Sequence, residues 1–308
     1  MTDVSASTAA RPSPEIVGAG LAALTVLCWA TFNVAAIHGL RAGLQPIDLT
    51  LLRFGTAGLV LAPVLVWMRR RDGGGRRWPS LHRTLCLAVL GGPLFGTLAV
   101  GGYAYAPLSH GMVVAPASVF LVGTVLAVTL NGEHVRTASL IGGGVVIAGL
   151  VVLAGPSTGD VAPGAWRGGV LFAAAGTLWA GFTVLMRRWC IDPIRGTLAV
   201  GTTAGLIAPA AFAVAALMGA STGLASASVP QIAIQALFQG LVGGVVSVFA
   251  LMSAARLLGS AKAALLPSFA PIVALALAIP ILGDWPSGFE LIGVAIAAIG
   301  LAIASLRR

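Results

Sequence analysis

Apolar residues run through this chain in stretches of about twenty, each closed by charge or by glycine and proline. A bilayer core of about 30 Å takes about 20 apolar helical residues to cross. Ten segments satisfy this, at about 16–38, 46–68, 84–105, 112–130, 137–154, 168–186, 197–218, 232–257, 263–282 and 288–306. The pattern therefore predicts an all-α polytopic membrane protein of ten transmembrane helices. Residues 1–15 are polar and rich in Ser, Thr and Ala, and read as a cytoplasmic tail. The apolar stretch after Glu15 suits a spanning helix better than a signal-peptide core.

The segments repeat. Pro116 is echoed by Pro267, Gly132-Glu133 by Gly283-Asp284, Leu140-Ile141-Gly142 by Leu291-Ile292-Gly293, and Gly149-Leu150 by Gly300-Leu301. Trp29-Ala30, Phe32 and Val34 recur as Trp179-Ala180, Phe182 and Val184. The chain thus divides into a first five-helix repeat (16–154), an outward linker (155–167) and a second repeat (168–308). Five crossings is an odd number, so the copies lie inverted in the membrane. Inverted repeats place a substrate path near the midplane and permit alternating access.

Composition agrees, with 58% hydrophobic and 9% charged residues against about 25% charged in soluble domains. The net charge of +9 is a matter of topology, not of nucleic-acid binding. With the N-terminus inside, fifteen of the eighteen basic residues fall on the cytoplasmic side. Arg41 and Arg167 face outward, and Arg53 lies within a span. That bias predicts N-in, C-in, in a bacterial inner membrane. Cys28, Cys86 and Cys190 show no metal or disulfide spacing, and no cofactor is expected.

Trp29 and Phe32 in the first span, Leu52-Arg53-Phe54 in the second, Pro116 in the fourth and Leu130-Asn131-Gly132-Glu133 ahead of Leu140-Ile141-Gly142 form an ordered set. Trp179, Pro267, Leu282-Gly283-Asp284 and Leu291-Ile292-Gly293 repeat it. This pattern resembles the drug/metabolite transporter superfamily, specifically its EamA-type ten-span members. Two departures stand out: Asp284 replaces the usual Glu, and Val200 occupies the place aligned with Arg53. The resemblance implies transport of a small solute. The family holds exporters of amino acids and related metabolites and transporters of sugar phosphates and nucleotide sugars. An amino-acid exporter, of the aromatic type, is the preferred member.

Candidate substrate-binding residues are Trp29, Asn33, Tyr103, Ser118, Trp179, Thr183, Gln239 and Ser268. Trp29 and Trp179 lie mid-span, where an indole N–H needs a partner or a wet cavity. They either pack the first span against the sixth or line the cavity. Asn33 and Thr183 follow one turn later on the same faces. Tyr103 and Tyr105 close the third span, where belt anchoring accounts for at least one. Gln239 is costly in the membrane without a partner. Candidate structural or gating residues are Arg53, Pro116, Pro267 and Lys262. Arg53 is expected to snorkel or to cap a helix end, and Pro116 and Pro267 are first-turn prolines or hinges. Lys262 is a positive-inside anchor or an attractor of anions. The fifth and tenth spans, almost free of polar residues, suit lipid contact, support or dimerisation.

No Asp or Glu falls mid-span in the sequence, which favours a neutral or zwitterionic substrate. The leading expectation is a transporter exporting amino acids by alternating access, a monomer or weak homodimer in the bilayer. Transport of sugar phosphates, nucleotide sugars or drugs is the alternative. A lipid-modifying enzyme would have to rest on Ser109 with His110, or on Glu133 with His134.

Overall fold

The computed structural model describes residues 13–73, 77–154, 164–259, 265 and 268–305. Most of the 1–15 tail, most of the 155–167 linker, Lys262 and Pro267 lie outside them. Among the described residues the fold is wholly helical, in ten rods. The first five are α1 (Pro14–Arg41), α2 (Pro46–Asp72), the broken pair α3 (Leu81–Gly91) and α4 (Pro93–Gly102), α5 (Leu108–Asn131) and α6 (Thr137–Ala154). The second five are α7 (Ala165–Arg188), α8 (Pro193–Leu217), the composite α9 (Val229–Gln235) and α10 (Ser247–Leu258), α11 (Ala270–Leu282) and α12 (Gly288–Ser305). Eight rods are long and apolar enough to cross a membrane; α6 and α11 are shorter apolar helices.

Local chemistry sets the ends. Prolines occupy the first turns of α1, α2 and α8, where a missing N–H costs nothing. Gly132 and Gly283 terminate α5 and α11 at φ 66° and 73°, a left-handed cap that glycine adopts without strain. Two rods depart from simple helices. The third breaks at Gly92, φ −106° and ψ −141°, because the residue before Pro93 is driven from the helical region. The eighth is π-helical over Ala236–Val246. Such segments are rare and favour functional sites.

The two copies interlock. α1 packs on α10 and α11 of the other copy, while α7 packs on α4 and α5. A pseudo-two-fold axis runs between α2 and α8. A Cβ on Gly58 would stand 2.6 Å from the Cα of Gly205, and one on Gly205 would stand 2.5 Å from the Cα of Gly58. These glycines are 147 residues apart, the same offset that aligns Arg53 with Val200. The α6–α12 crossing obeys the same symmetry. Gly142 abuts Ala304 and Gly293 abuts Leu153, while Gly149 abuts Ala297 and Gly300 abuts Val146. Each contact maps onto its mate at an offset of 151. In lipid, where packing replaces the hydrophobic effect between helices, such small-residue seams hold rods together. The fifth and tenth spans therefore cross each other along these seams.

Candidate functional site

A polar layer lies below the end of the bundle that carries Arg41. Asn33 on α1 donates its Nδ2 to the Trp29 carbonyl at 2.7 Å, and its Oδ1 accepts the Tyr103 hydroxyl at 2.8 Å. Tyr103 stands edge-on to Phe172, centroids 4.9 Å apart. It turns inward, whereas Tyr105 is exposed. From the π-helical segment Gln239 donates to the Phe32 carbonyl at 2.7 Å, and Gln235 one turn earlier donates to Ala35 at 2.8 Å. Both amides are fully buried, and both Oε1 atoms lack a partner. Composition had singled out Gln239 but not Gln235, although an amide four residues earlier on the same rod was the available signal.

Arg53 neither snorkels nor caps a helix. Its guanidinium lies 4.5 Å from the Phe32 ring centroid and 5.7 Å from that of Phe54. Phe32 sits nine residues in from Arg41, about 13 Å along α1, so the charge points inward. Trp179 stacks between Phe95 and Phe182, at 5.0 and 4.8 Å. Trp29 packs instead into the apolar cluster of α1, α10, α11 and α12. The two tryptophans thus serve separate clusters.

Pro116 is interior, because α5 begins at Leu108; the first-turn reading does not hold. It removes the bond to the Met112 carbonyl, and the Ser118 hydroxyl bonds Val114 at 2.9 Å. Thr183 bonds its own helix at Ala180, 2.9 Å. Ser268 is buried with an unpartnered hydroxyl. Ser109 is buried and donates to Glu290. Glu290 and Ser287 in turn bond each other's backbone N–H at the start of α12. The Ser109 hydroxyl also lies 3.4 Å from His110 Nδ1.

The two ends differ. At one, Arg41 grips Asp284 at 2.9 and 2.7 Å and the Leu282 carbonyl at 2.9 Å. Val34, Ile37, Ala270, Ala274, Leu275 and Ala278 close beneath it into a buried cluster. At the other, α5, α6 and α7 part around a cavity of about 350 Å³. Its wall includes Val119, Gly123, Thr124, Ala127, Glu133, Thr183, Val184 and Arg187. Glu133 and Arg187 meet there at only 3.4 Å. These wall positions are the repeat counterparts of the closed cluster. Val119, Gly123, Thr124 and Ala127 map onto Ala270, Ala274, Leu275 and Ala278 at an offset of 151, and Val184 and Arg187 map onto Val34 and Ile37 at an offset of 150. The same constellation is packed at one end and open at the other. Beside the open end Arg195 is paired with Asp72 at 2.9 Å, both largely buried, and lies 5.7 Å from the Trp78 ring.

A protein of known crystal structure superposes on the chain with a TM-score of 0.60 at 22% identity, covering 96% of both chains. This likeness extends to the fold alone. A search of curated proteins returns no match. The EamA-like transporter family matches twice, over residues 16–155 and 166–306. Those two matches take in both sets of five rods, and the chain belongs to the EamA-like transporter family.

Proposed function

We propose that this protein exports small metabolites, neutral or zwitterionic amino acids foremost, across the bacterial inner membrane by alternating access. The observation that carries the reading is the repeat-related constellation, packed at the Arg41–Asp284 end and parted at the Glu133–Arg187 end. An inverted repeat whose halves adopt unequal arrangements can exchange them, and the exchange moves the opening across the membrane. The excess of arginine and lysine supports a cytoplasmic position for the open end, and on that reading the protein faces inward. The exchange asks α1 to part from α11 at the closed end while α7 closes on α5 at the open one.

The acidic positions support a substrate without net positive charge. Asp48 is buried at the start of α2, where its Oδ2 takes the N–H groups of Gln45 and Gly223, both at 2.7 Å, and its Oδ1 has no partner. Glu290 belongs to the cap of α12. A sugar phosphate would call for several basic groups in the path. Among the described residues, Arg53 is the guanidinium within a span that no acid neutralises.

The test is efflux of tritiated L-amino acids from loaded proteoliposomes. Release above that from protein-free liposomes is expected. No release for any amino acid, with release of a sugar phosphate or nucleotide sugar instead, overturns the substrate assignment. A C-terminal reporter fusion active only in the periplasm would overturn the orientation.

A further inference from the structure

Arg53 has no acid, carbonyl or hydroxyl partner among the described residues, and only ring faces meet its guanidinium. A cation at that depth is costly, and a protein retains one for pairing or for a ligand. Its planar fork suits two-point binding of a carboxylate. Aromatic faces hold the fork in place, with Phe32 at 4.5 Å, and leave its N–H edges free, since cation–π attraction uses the plane.

The same phenylalanine brings a second group to the place. The Phe32 carbonyl is bonded by Gln239 Nε2 at 2.7 Å. That bond fixes the amide's orientation and leaves Oε1, fully buried, as an acceptor with nothing to accept. An unmade bond of this kind costs about 1–3 kcal/mol, so a donor from a ligand would be favoured. Gln239 sits in the π-helical segment, whose Gly243 lets that rod close on Phe32 and whose Gly244 faces Ala57 on α2.

We infer that Arg53 and Gln239 together form the receptor for a zwitterion, with the guanidinium taking the carboxylate and the amide oxygen taking an ammonium N–H. The inference rests on the transport reading above and names its substrate class, an α-amino acid recognised by its backbone groups at a site apart from the cavity of the open end. Its occurrence in one copy alone fits a ligand with two unlike ends. Val200, the counterpart of Arg53, offers no second carboxylate site.

The experiment compares three tritiated sets of solutes in loaded proteoliposomes: L-amino acids, the amines left by removing their carboxylates, and the acids left by removing their amino groups. The wild type is expected to release the amino acids at least tenfold faster than either truncated set. Arg53→Gln should lower amino-acid release tenfold or more, Arg53→Lys should retain an intermediate rate, and Gln239→Leu should narrow the gap between amino acids and deaminated acids. Each variant is matched to wild type by its melting temperature in detergent. Amines leaving as fast as amino acids in the wild type, or Arg53→Gln within twofold of it, overturns the receptor while export stands. No release of any amino acid by the wild type removes the transport reading and the receptor together.

Discussion

The closed end, which the proposed orientation turns outward, can be weakened at one side chain. Arg41→Ala removes the contacts to Asp284 and the bond to the Leu282 carbonyl. The two side chains are 50% and 44% exposed, so screening limits the ion pair to about 0.5–1 kcal/mol. The hydrogen bond to the carbonyl adds about 0.5–1 kcal/mol. A total near 1.5 kcal/mol shifts a two-state equilibrium about tenfold, here toward the outward-open form. The readout is a single cysteine at Ala278, which is 2% exposed in the present conformation, in a background without Cys28, Cys86 and Cys190. Labelling by an impermeant maleimide from outside should accelerate up to tenfold in Arg41→Ala. The charge exchange Arg41→Asp with Asp284→Arg should restore most of the slow rate. A cysteine at Thr124, in the inner cavity wall, should label more slowly from inside as the outer form gains population. Outside labelling unchanged within twofold would refute the latch, as would an exchange variant no slower than Arg41→Ala.

The remaining predictions concern the scaffold and the aromatic wall. Gly58→Val drives a side chain into the backbone of Gly205, which cannot yield as a side chain can. A loss of about 3 kcal/mol is expected, read as a lower melting temperature in detergent, and melting within a degree of wild type would count against the Gly–Gly axis. Trp179→Ala breaks two ring contacts, each worth about 0.5–1.5 kcal/mol. It should slow aromatic amino-acid export more than aliphatic, with Trp179→Phe in between. Arg195→Met removes a largely buried ion pair with Asp72, whereas Arg187→Met removes a half-exposed one with Glu133. The first should lower the melting temperature clearly more than the second, and the reverse order would show that the Arg195 pair carries little.

The ten helical rods, the repeat and the family were legible in the sequence. Each depends on local or periodic information: hydrophobic length, an odd count of crossings, and identities at fixed offsets such as Gly132-Glu133 and Gly283-Asp284. Helix capping is local too, so Gly132 and Gly283 mark the ends of their helices in either description. The apolar run at 84–105 reads as one span and does not show the break at Gly92-Pro93, and the run from 112 puts Pro116 near a helix start about a turn later than α5 begins.

What an arginine or a glutamine meets across the bundle is decided by partners far away in sequence, and composition cannot name them. Arg53 alone suggests snorkelling. Only the approach of α1 brings Phe32 over its guanidinium, and only the π-helical stretch brings Gln239 to the Phe32 carbonyl. Trp29 and Trp179 are equal by the repeat, yet interlocking of the copies sends them into different clusters. The same holds for the ends: the sequence supplies one set of positions twice, alike at Val34 and Val184 and at Ala278 and Ala127, but with Arg187 and Thr124 answering Ile37 and Leu275. Which copy is packed and which is open follows from the tertiary arrangement, because a duplicated unit can satisfy its contacts in two ways and only the whole bundle selects between them.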